Sequence, residues 1–388
     1  MLFGNKRGTT NSIAFDCGTS SVRASLLSYA STGSGEKPTV TQVIRVPFDV
    51  TEYIDAHILR RRTWDGMRRT LEQIPKNYRP KHIVVGLSSP FYIAKTSRIT
   101  RERTTPQQPI TTTELEALIS HGKSMFTEET VGHTGGHAIT IFNTMFLKTY
   151  VNGYRTPQPV GTEGKIIETY LRLEGTTEQL YQDFTGFFSN IFPDSLMHLV
   201  SIPTANYYAL RSILDSENGF LLIDIGGEIS DVSLIVYGIL ERVVTMPLGN
   251  NTFLRQAASL FGISVSDVLF LVRRYSEHTL DEKQKRRLDP LIEDFRNMWR
   301  ARLMIVFEQY AKNYEIPPHI LFTGGGTFTF GTDMLSQDFL RGVAPQKNIS
   351  ISLATPALMD TRFAKHPFGN QSDFGLACLS LLWAEGIL

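Results

Sequence analysis

The chain has 388 residues and 41% hydrophobic content, enough for about two or three packed domains. A formal net charge of +1 leaves no global field drawing it to nucleic acid or anionic lipid, so a charged partner must meet a local patch. Its two cysteines, Cys17 and Cys378, exclude a disulfide framework and a cysteine-based zinc site, and fit a reducing compartment with both thiols buried as small hydrophobes.

The start, residues 1–8, has no apolar h-region, and no uninterrupted apolar run reaches the length needed to cross a bilayer. A cytoplasmic protein is expected. Residues 12–29 and 39–48 alternate apolar and polar side chains around a Ser- and Gly-rich stretch at 31–38, a strand pair with a flexible loop. Residues 52–74 place Ile54, Ile58, Leu59, Met67, Leu71 and Ile74 at helical spacing, and Ile83 to Leu87 return as a buried strand, giving a β-β-α-β order.

From Ser88 to Ser201 the texture changes. Residues 96–109 are polar and proline-bearing, 112–125 helical, and 127–136 a loop. Strands follow at 140–151 and 165–173 around a turn at 152–157, then an amphipathic helix at 177–191. This reads as a small α+β domain inserted into the first unit. A helix at 204–214 leads onward, 230–237 and 240–247 form a hairpin around Gly238, and 252–315 are mostly helical. An apolar strand at 320–323 then runs into three glycines. The apolar segment Phe374 to Trp383 closes the pattern, and no basic amphipathic stretch follows it.

Two turns share one design. Ile13-Ala14-Phe15-Asp16-Cys17-Gly18-Thr19-Ser20-Ser21 and Leu221-Leu222-Ile223-Asp224-Ile225-Gly226-Gly227-Glu228-Ile229-Ser230-Asp231 each run from an apolar strand through Asp and Gly into a second β pattern. Glycine lets the backbone approach anionic oxygens with its N–H groups, Thr19, Ser20, Ser21 and Ser230 add hydroxyl donors, and Asp16 and Asp224 suit Mg²⁺ held through water. Asp231 is a candidate for orienting water. No nucleophile with a positioned base is visible, so in-line attack of water under electrostatic clamping is the only chemistry these residues offer.

In order along the chain, Asp16-x-Gly18-Thr19, Asp224-x-Gly226-Gly227 and Thr323-Gly324-Gly325-Gly326 resemble the two phosphate loops and the adenosine loop of the actin-like ATPase superfamily. The resemblance spans roughly residues 12–385 and implies an α/β fold of two lobes, built from duplicated ribonuclease-H-like domains, with ATP and Mg²⁺ between them. The insert at 88–201, the segment Pro159-x-Gly161-x-x-Gly164 and Met246-Pro247-Leu248-Gly249 resemble the FtsA type; the PilM type is the alternative. The implied division is 10–87 with 202–218 and 361–388 as the first subdomain, 88–201 as the insert, and 219–360 as the second lobe, 263–315 being its helical part.

The resemblance implies an assembly or recruitment scaffold with slow or absent ATP hydrolysis. Its partner would be an FtsZ-like division protein or, on the PilM reading, the cytoplasmic peptide of a pilus membrane protein, with self-association into filaments and only indirect membrane contact. Departures bear on turnover: Glu228 stands where the family has a small residue, a cost unless a cation offsets it. Ile202 stands where relatives place a water-positioning carboxylate, and Leu269 and Val272 where they place ribose- and adenine-contacting Glu and Lys. A sugar kinase is the third alternative, without a visible substrate base. Arg60, Arg61, Arg62, Arg68 and Arg69 read as a solvated face, or as one meeting anionic lipid or an acidic peptide. His82, His133, His137, His198 and His278 have no metal-ligand spacing.

Overall fold

The computed structural model describes residues 9–30, 36–132, 135–215, 217–327, 334–335, 337–343 and 348–384. The N-terminal residues 1–8, the loop at 31–35, His133 and the last four residues lie outside them, so the expectations for these segments are not addressed.

The stretch 12–29, counted once in the expected β-β-α-β order, is the hairpin of β1 (Thr9–Cys17) and β2 (Ser21–Ala30) that its Asp-x-Gly turn implied, the chain reversing at Gly18. With β3 (Thr39–Pro47), helix α1 (Ala56–Leu71) and β4 (His82–Leu87), the first unit runs β-β-β-α-β. A second departure is β5 (Ile93–Glu102), where a polar connection was expected. Its buried Ser97 and Ile99 alternate with exposed Arg98 and Thr100, a half-buried strand with only Ile93 and Ile99 as large apolar residues on its inner face. Helix α2 (Thr112–Val131) also overruns the loop expected from residue 127. The Thr127 and Thr130 hydroxyls donate to the carbonyls of Lys123 and Phe126, and Phe126 and Thr130 continue the buried stripe of Leu118 and Gly122.

Strands β6 (Ile139–Val151), β7 (Tyr154–Arg155) and β8 (Ile166–Thr177) join β5 in an antiparallel sheet of order β5-β8-β6-β7. Helix α3 (Glu178–Ile191) and β9 (Leu196–Ser201) then return to the first lobe. β9 pairs in parallel with β4, and Phe184 and Phe188 of α3 share a core with Phe15, Val22 and Met67. β9 thus pairs within the first sheet, and α3 lies between that lobe's core and the strands β6 and β8 of the inserted sheet.

After α4 (Ile202–Leu210), β10 (Phe220–Ile225), β11 (Ser230–Val236) and β12 (Ile239–Met246) repeat the first meander. Helices α5 (Asn250–Phe261), α6 (Val265–Ser276) and α7 (Glu282–Ala311) precede β13 (His319–Thr323) and β14 (Ser350–Leu353). The two large sheets have the same design: β3-β2-β1-β4-β9 and β12-β11-β10-β13-β14, an antiparallel meander followed by two parallel strands.

Each large sheet is covered on both faces, which explains the near-continuous apolar runs of β4 and β10. Their facing sides enclose α4 and the terminal helix Phe374–Ala384, with Ala14, Val84, Leu222 and Leu321 in one cluster with Ala205, Leu376 and Leu379. The outer side of the second sheet packs on α5, α6 and the stripe Leu288, Ile292, Phe295, Trp299, Leu303 and Val306 of α7. Cys17 and Cys378 are both buried, as expected. Arg60 and Arg68 are paired with Asp183 and Asp65, so the arginines of α1 do not form a uniformly unpaired positive face. Among the described residues no single helix is long and apolar enough to cross a membrane.

Truncating Phe184 to Ala is expected to cost about 3–5 kcal/mol, the range for a large aromatic in a packed core. Hydrogen exchange should then accelerate more in α1 and β1, which share its core, than in β6 and β8; the reverse pattern would place α3 with the inserted sheet.

Candidate functional site

Both hairpins reach the cleft through the same turn. The Gly18 N–H donates to the Ser21 carbonyl at 3.1 Å, and the Gly226 N–H to the Ile229 carbonyl at 2.8 Å. Strand register sets Asp16 opposite Arg23 and Asp224 opposite Asp231, and residues directly opposed in an antiparallel pair share a face. All four line one cavity of about 50 Å³ between the lobes.

Eleven of the residues singled out in sequence line that cavity: Asp16, Gly18, Thr19 and Ser20 from the first tip, Asp224, Gly226, Gly227 and Asp231 from the second hairpin, and Thr323, Gly324 and Gly325 at the end of β13. Three do not. Ser21 accepts from Arg23 Nε at 3.0 Å. Ser230 donates to the Leu248 carbonyl at 2.6 Å and accepts from Trp299 Nε1 at 3.2 Å, so its hydroxyl is spent inside the second lobe. Gly326 packs on Ile225, whose Cγ2 would lie 2.3 Å from an added Cβ. Gly324 has φ +89° and no room for a Cβ, which would meet Asp224 Oδ1 at 2.3 Å.

The tips touch one another. The Glu228 N–H donates to Thr19 Oγ1 at 3.0 Å, and a Cβ on Gly227 would lie 2.5 Å from Ser20 Cβ. Glu228, expected beside phosphate, directs its carboxylate to Asn251 (2.8 Å) and to the Arg255 guanidinium, outside the cavity lining. Arg255 also donates to the Thr51 carbonyl of the first lobe at 3.3 Å. The cation needed to offset Glu228 is thus built into α5.

Ile202 does form part of the cavity wall, at the first turn of α4. Leu269 and Val272 do not face the cleft: Val272 is buried in the second-lobe core and Leu269 packs against it. Neither residue lines the cavity.

Sequence reasoning missed Arg23, Ser88, Ile229, Ser372 and Gly375, which also line the cavity. Arg23 was legible in principle, because it follows Asp16 by the same interval that separates Asp231 from Asp224. Its Nη1 lies 3.4 Å from Asp16 Oδ2. Two buried polar atoms of this region, Thr323 Oγ1 and Asn206 Oδ1, have no hydrogen-bond partner. A Cβ on Gly375 would stand 3.7 Å from Asp16 Oδ2 and 3.9 Å from Asn206 Oδ1, which places Asn206 against the cavity wall.

Three carboxylates with one guanidinium leave the cavity short of positive charge. Burial pushes Asp224 up to about 7, with Asp231 and Asp16 adding to the shift and Arg23 opposing it. Burial pushes Asp231 to about 6 against the bond from the Thr245 hydroxyl, and raises Asp16 against the Arg23 charge. No group of three or more His, Cys, Asp or Glu residues among the described residues converges to hold a metal directly. The donor set fits a cation held through its own waters, and the unpartnered Thr323 and Asn206 oxygens fit a polar ligand.

No protein-family profile matches the sequence, and no curated protein matches it. Among solved structures, a chain of a "PilM-PilN type IV pilus biogenesis complex" is similar at TM-score 0.64 and 14% identity, over 96% of this chain and 98% of that one. The ethanolamine utilization protein EutJ from Carboxydothermus hydrogenoformans follows at TM-score 0.47 and 12% identity, over 96% and 89%. MreB5 of Spiroplasma citri bound to ADP has TM-score 0.44 and 11% identity, over 97% and 98%. The chain has the actin-like ATPase fold, as the duplicated sheets and the first of these likenesses show.

The raised carboxylates give a pH signature. Their folded values lie above the ordinary 3.8, so the folded chain binds more protons than the unfolded one between those limits. This contribution is full below about pH 4 and is lost as pH rises through 6 to 7. Between pH 5 and 7.5, Asp224→Asn should lose roughly 1–2 kcal/mol less stability than wild type in urea titrations. Equal losses would exclude a proton held at Asp224.

Proposed function

We propose that this chain binds ATP with Mg²⁺ between its two hairpin tips and acts as a nucleotide-dependent scaffold that recruits a protein partner, with slow or no hydrolysis. One observation carries this reading: two copies of the same Asp-x-Gly turn meet tip to tip around a single polar cavity. The Thr19 and Ser20 hydroxyls and the Arg23 guanidinium suit phosphate oxygens, and the glycine tips let the backbone come close, although the Gly18 and Gly226 N–H groups themselves close the turns. The helices α4 and Phe374–Ala384 both begin at the cavity, at Ile202 and Gly375, and their N-termini favour negative charge.

Mg²⁺ bound here would neutralise charge between phosphate and carboxylate; Asp16 and Asp224 would hold it through its waters. Thr323, Gly324 and Gly325 would take the adenosine side. Asp231 is the candidate for orienting water, but its Oδ1 is engaged by the Thr245 hydroxyl at 2.5 Å. Ile202 presents hydrocarbon to the remaining wall and cannot hold water in line. Binding without rapid turnover follows.

The cavity volume adds a condition. About 50 Å³ holds a few waters, whereas small-molecule sites run to about 300–1,000 Å³. The lobes must part and the Thr19–Glu228 bond must break before a nucleotide is seated, so association should be slow compared with diffusion.

Two forms of the scaffold reading compete, a pilus-assembly adaptor of PilM type and a division scaffold of FtsA type. The full-length likeness to the chain from the PilM–PilN complex supports the adaptor, whose partner on this reading would be the cytoplasmic peptide of a pilus membrane protein. In either form the protein works in the cytoplasm, at the inner face of the membrane through that partner. Self-association into filaments is part of the same proposal.

Calorimetric titration with ATP and Mg²⁺ should give saturable binding, and nucleotide at about 100 times Kd should stabilise the fold by about 2.7 kcal/mol. Asp16→Ala combined with Asp224→Ala should abolish both effects; identical null traces for wild type and variant would sink the nucleotide reading. Pull-down with a pilus-protein peptide against an FtsZ tail should retain the former, and retention of only the latter would reverse the choice of form.

A further inference from the structure

A pair of deeply buried charges outside the cavity lies where the inserted sheet meets both lobes. Arg172 and Glu174 on β8 are 1% and 0% exposed, with Nε and Oε1 3.4 Å apart. Glu174 accepts from the Ser201 N–H (3.1 Å), the Ser201 hydroxyl (2.5 Å), the Thr204 hydroxyl (2.6 Å) and the Asn143 amide (3.1 Å). Ser201 is the N-cap of α4, and its neighbour Ile202 walls the cavity. Arg172 donates to Thr204 Oγ1 at 2.6 Å and to Thr96 Oγ1 at 3.3 Å, while its Nη2 is buried without a hydrogen-bond partner.

Thr96 completes the bridge. Its hydroxyl donates at 2.6 Å to the Leu240 carbonyl, on β12 of the second lobe. Further along the same junction, Lys148 of β6 is held by both carboxylate oxygens of Glu217, at 2.8 and 2.9 Å. The segment leading from Ser88 in the cavity wall to β5 carries Tyr92, within electrostatic reach of Asp231, Arg172 and Glu174. The inserted sheet thus grips the start of α4 with one set of side chains and the second lobe with another.

Such a group is a poor device for a static joint. Burying an ion pair carries a desolvation cost that often exceeds its Coulombic gain, and well-packed apolar residues of similar volume are commonly as stable or more so. The unmet Nη2 adds to that cost. Its hydrogen bonds are directional, however, so a small displacement of β12 relative to α4 must either carry the sheet along, break the Thr96–Leu240 bond, or break the bonds of Arg172 and Glu174 to Ser201 and Thr204. The bonds to the buried charges are the stronger of these, so the sheet stays with α4 and Thr96 decides whether it also follows β12.

We infer that Arg172 and Glu174 are positioning residues through which the inserted sheet follows the separation of the two lobes at the cavity, so that ligand in the cleft sets the pose of the insert. The inference rests on the nucleotide reading above. It gives the insert a regulated surface, exposed in one lobe separation and altered in the other.

The test is hydrogen exchange on the full chain with and without ATP and Mg²⁺. In wild type, exchange should slow at 16–23 and 224–231 and change by at least about fivefold in β5 and β8. In Thr96→Val, and in Arg172→Met combined with Glu174→Leu, the tips should remain protected while the response of β5 and β8 drops below about twofold. Thr96→Val removes one hydroxyl at a half-buried site and keeps the test valid if the double variant fails to fold. An undiminished response of β5 and β8 in a folded variant overturns the inference. Protected tips with an unresponsive inserted sheet in wild type overturn it as well. Unprotected tips in wild type remove the nucleotide reading and the inference together, a pattern distinct from either.

Discussion

The position of the second hairpin tip depends on backbone meeting backbone where no side chain fits. A Cβ on Gly249 would lie 2.4 Å from the Gly227 carbonyl oxygen, and one on Gly227 would lie 2.5 Å from Ser20 Cβ. The tip is therefore clasped from behind by the start of α5, where the Asn250 and Asn251 N–H groups donate to the Gly226 and Gly227 carbonyls at 3.0 and 2.7 Å. From the front it is met by Thr19. These contacts decide the height of the cleft, and with it the size of anything the lobes can enclose.

The duplicated hairpins hold opposite electrostatic partners at the same cross-strand position. Asp16 faces Arg23, a pair that is close to neutral, whereas Asp224 faces Asp231 and gains nothing from its neighbour. The fold is symmetric and the charge is not. Protons satisfy the second hairpin at low pH; on the proposed reading a cation carried in with phosphate would do so at neutral pH and would match the two helix N-termini. A phosphate alone would add negative charge to three buried carboxylates.

Much of this was legible in the sequence for a local reason: an Asp-Gly turn between apolar runs leaves a mark within nine or so residues, and such marks survive at low identity because they are backbone requirements. Arg23 was missed because it lies on the returning strand, where its proximity to Asp16 is a matter of hairpin register. Ser372, Gly375 and Asn206 come to the site from helices far along the chain and carry no local signal. The error at Ser230 has the same root. Alternation along β11 decides that Asp231 faces the cavity while Ser230 turns to Trp299, and a motif that counts both as donors ignores the period of two. β5 was missed on its scarcity of apolar residues, and the return of β9 to the first sheet carries no local signal because it is a matter of pairing with β4.

Ile202 joins these strands of argument. It occupies the first turn of α4, packs toward Gly86, where an added Cβ would lie 2.6 Å from its Cδ1, and turns its remaining surface to the cavity. A hydrocarbon at that point withholds a water-orienting oxygen and at the same time makes the α4 terminus a rigid part of the wall. Its polar needs are met behind it, where Ser201 and Thr204 are held by Glu174 of the inserted sheet. The hydrocarbon in the cavity wall thus stands directly before the contact that ties the cleft to the insert. On the proposed reading, a nucleotide here would serve for its shape: occupancy would fix how far the lobes stand apart, and the inserted sheet, gripping both, would convert that distance into its pose.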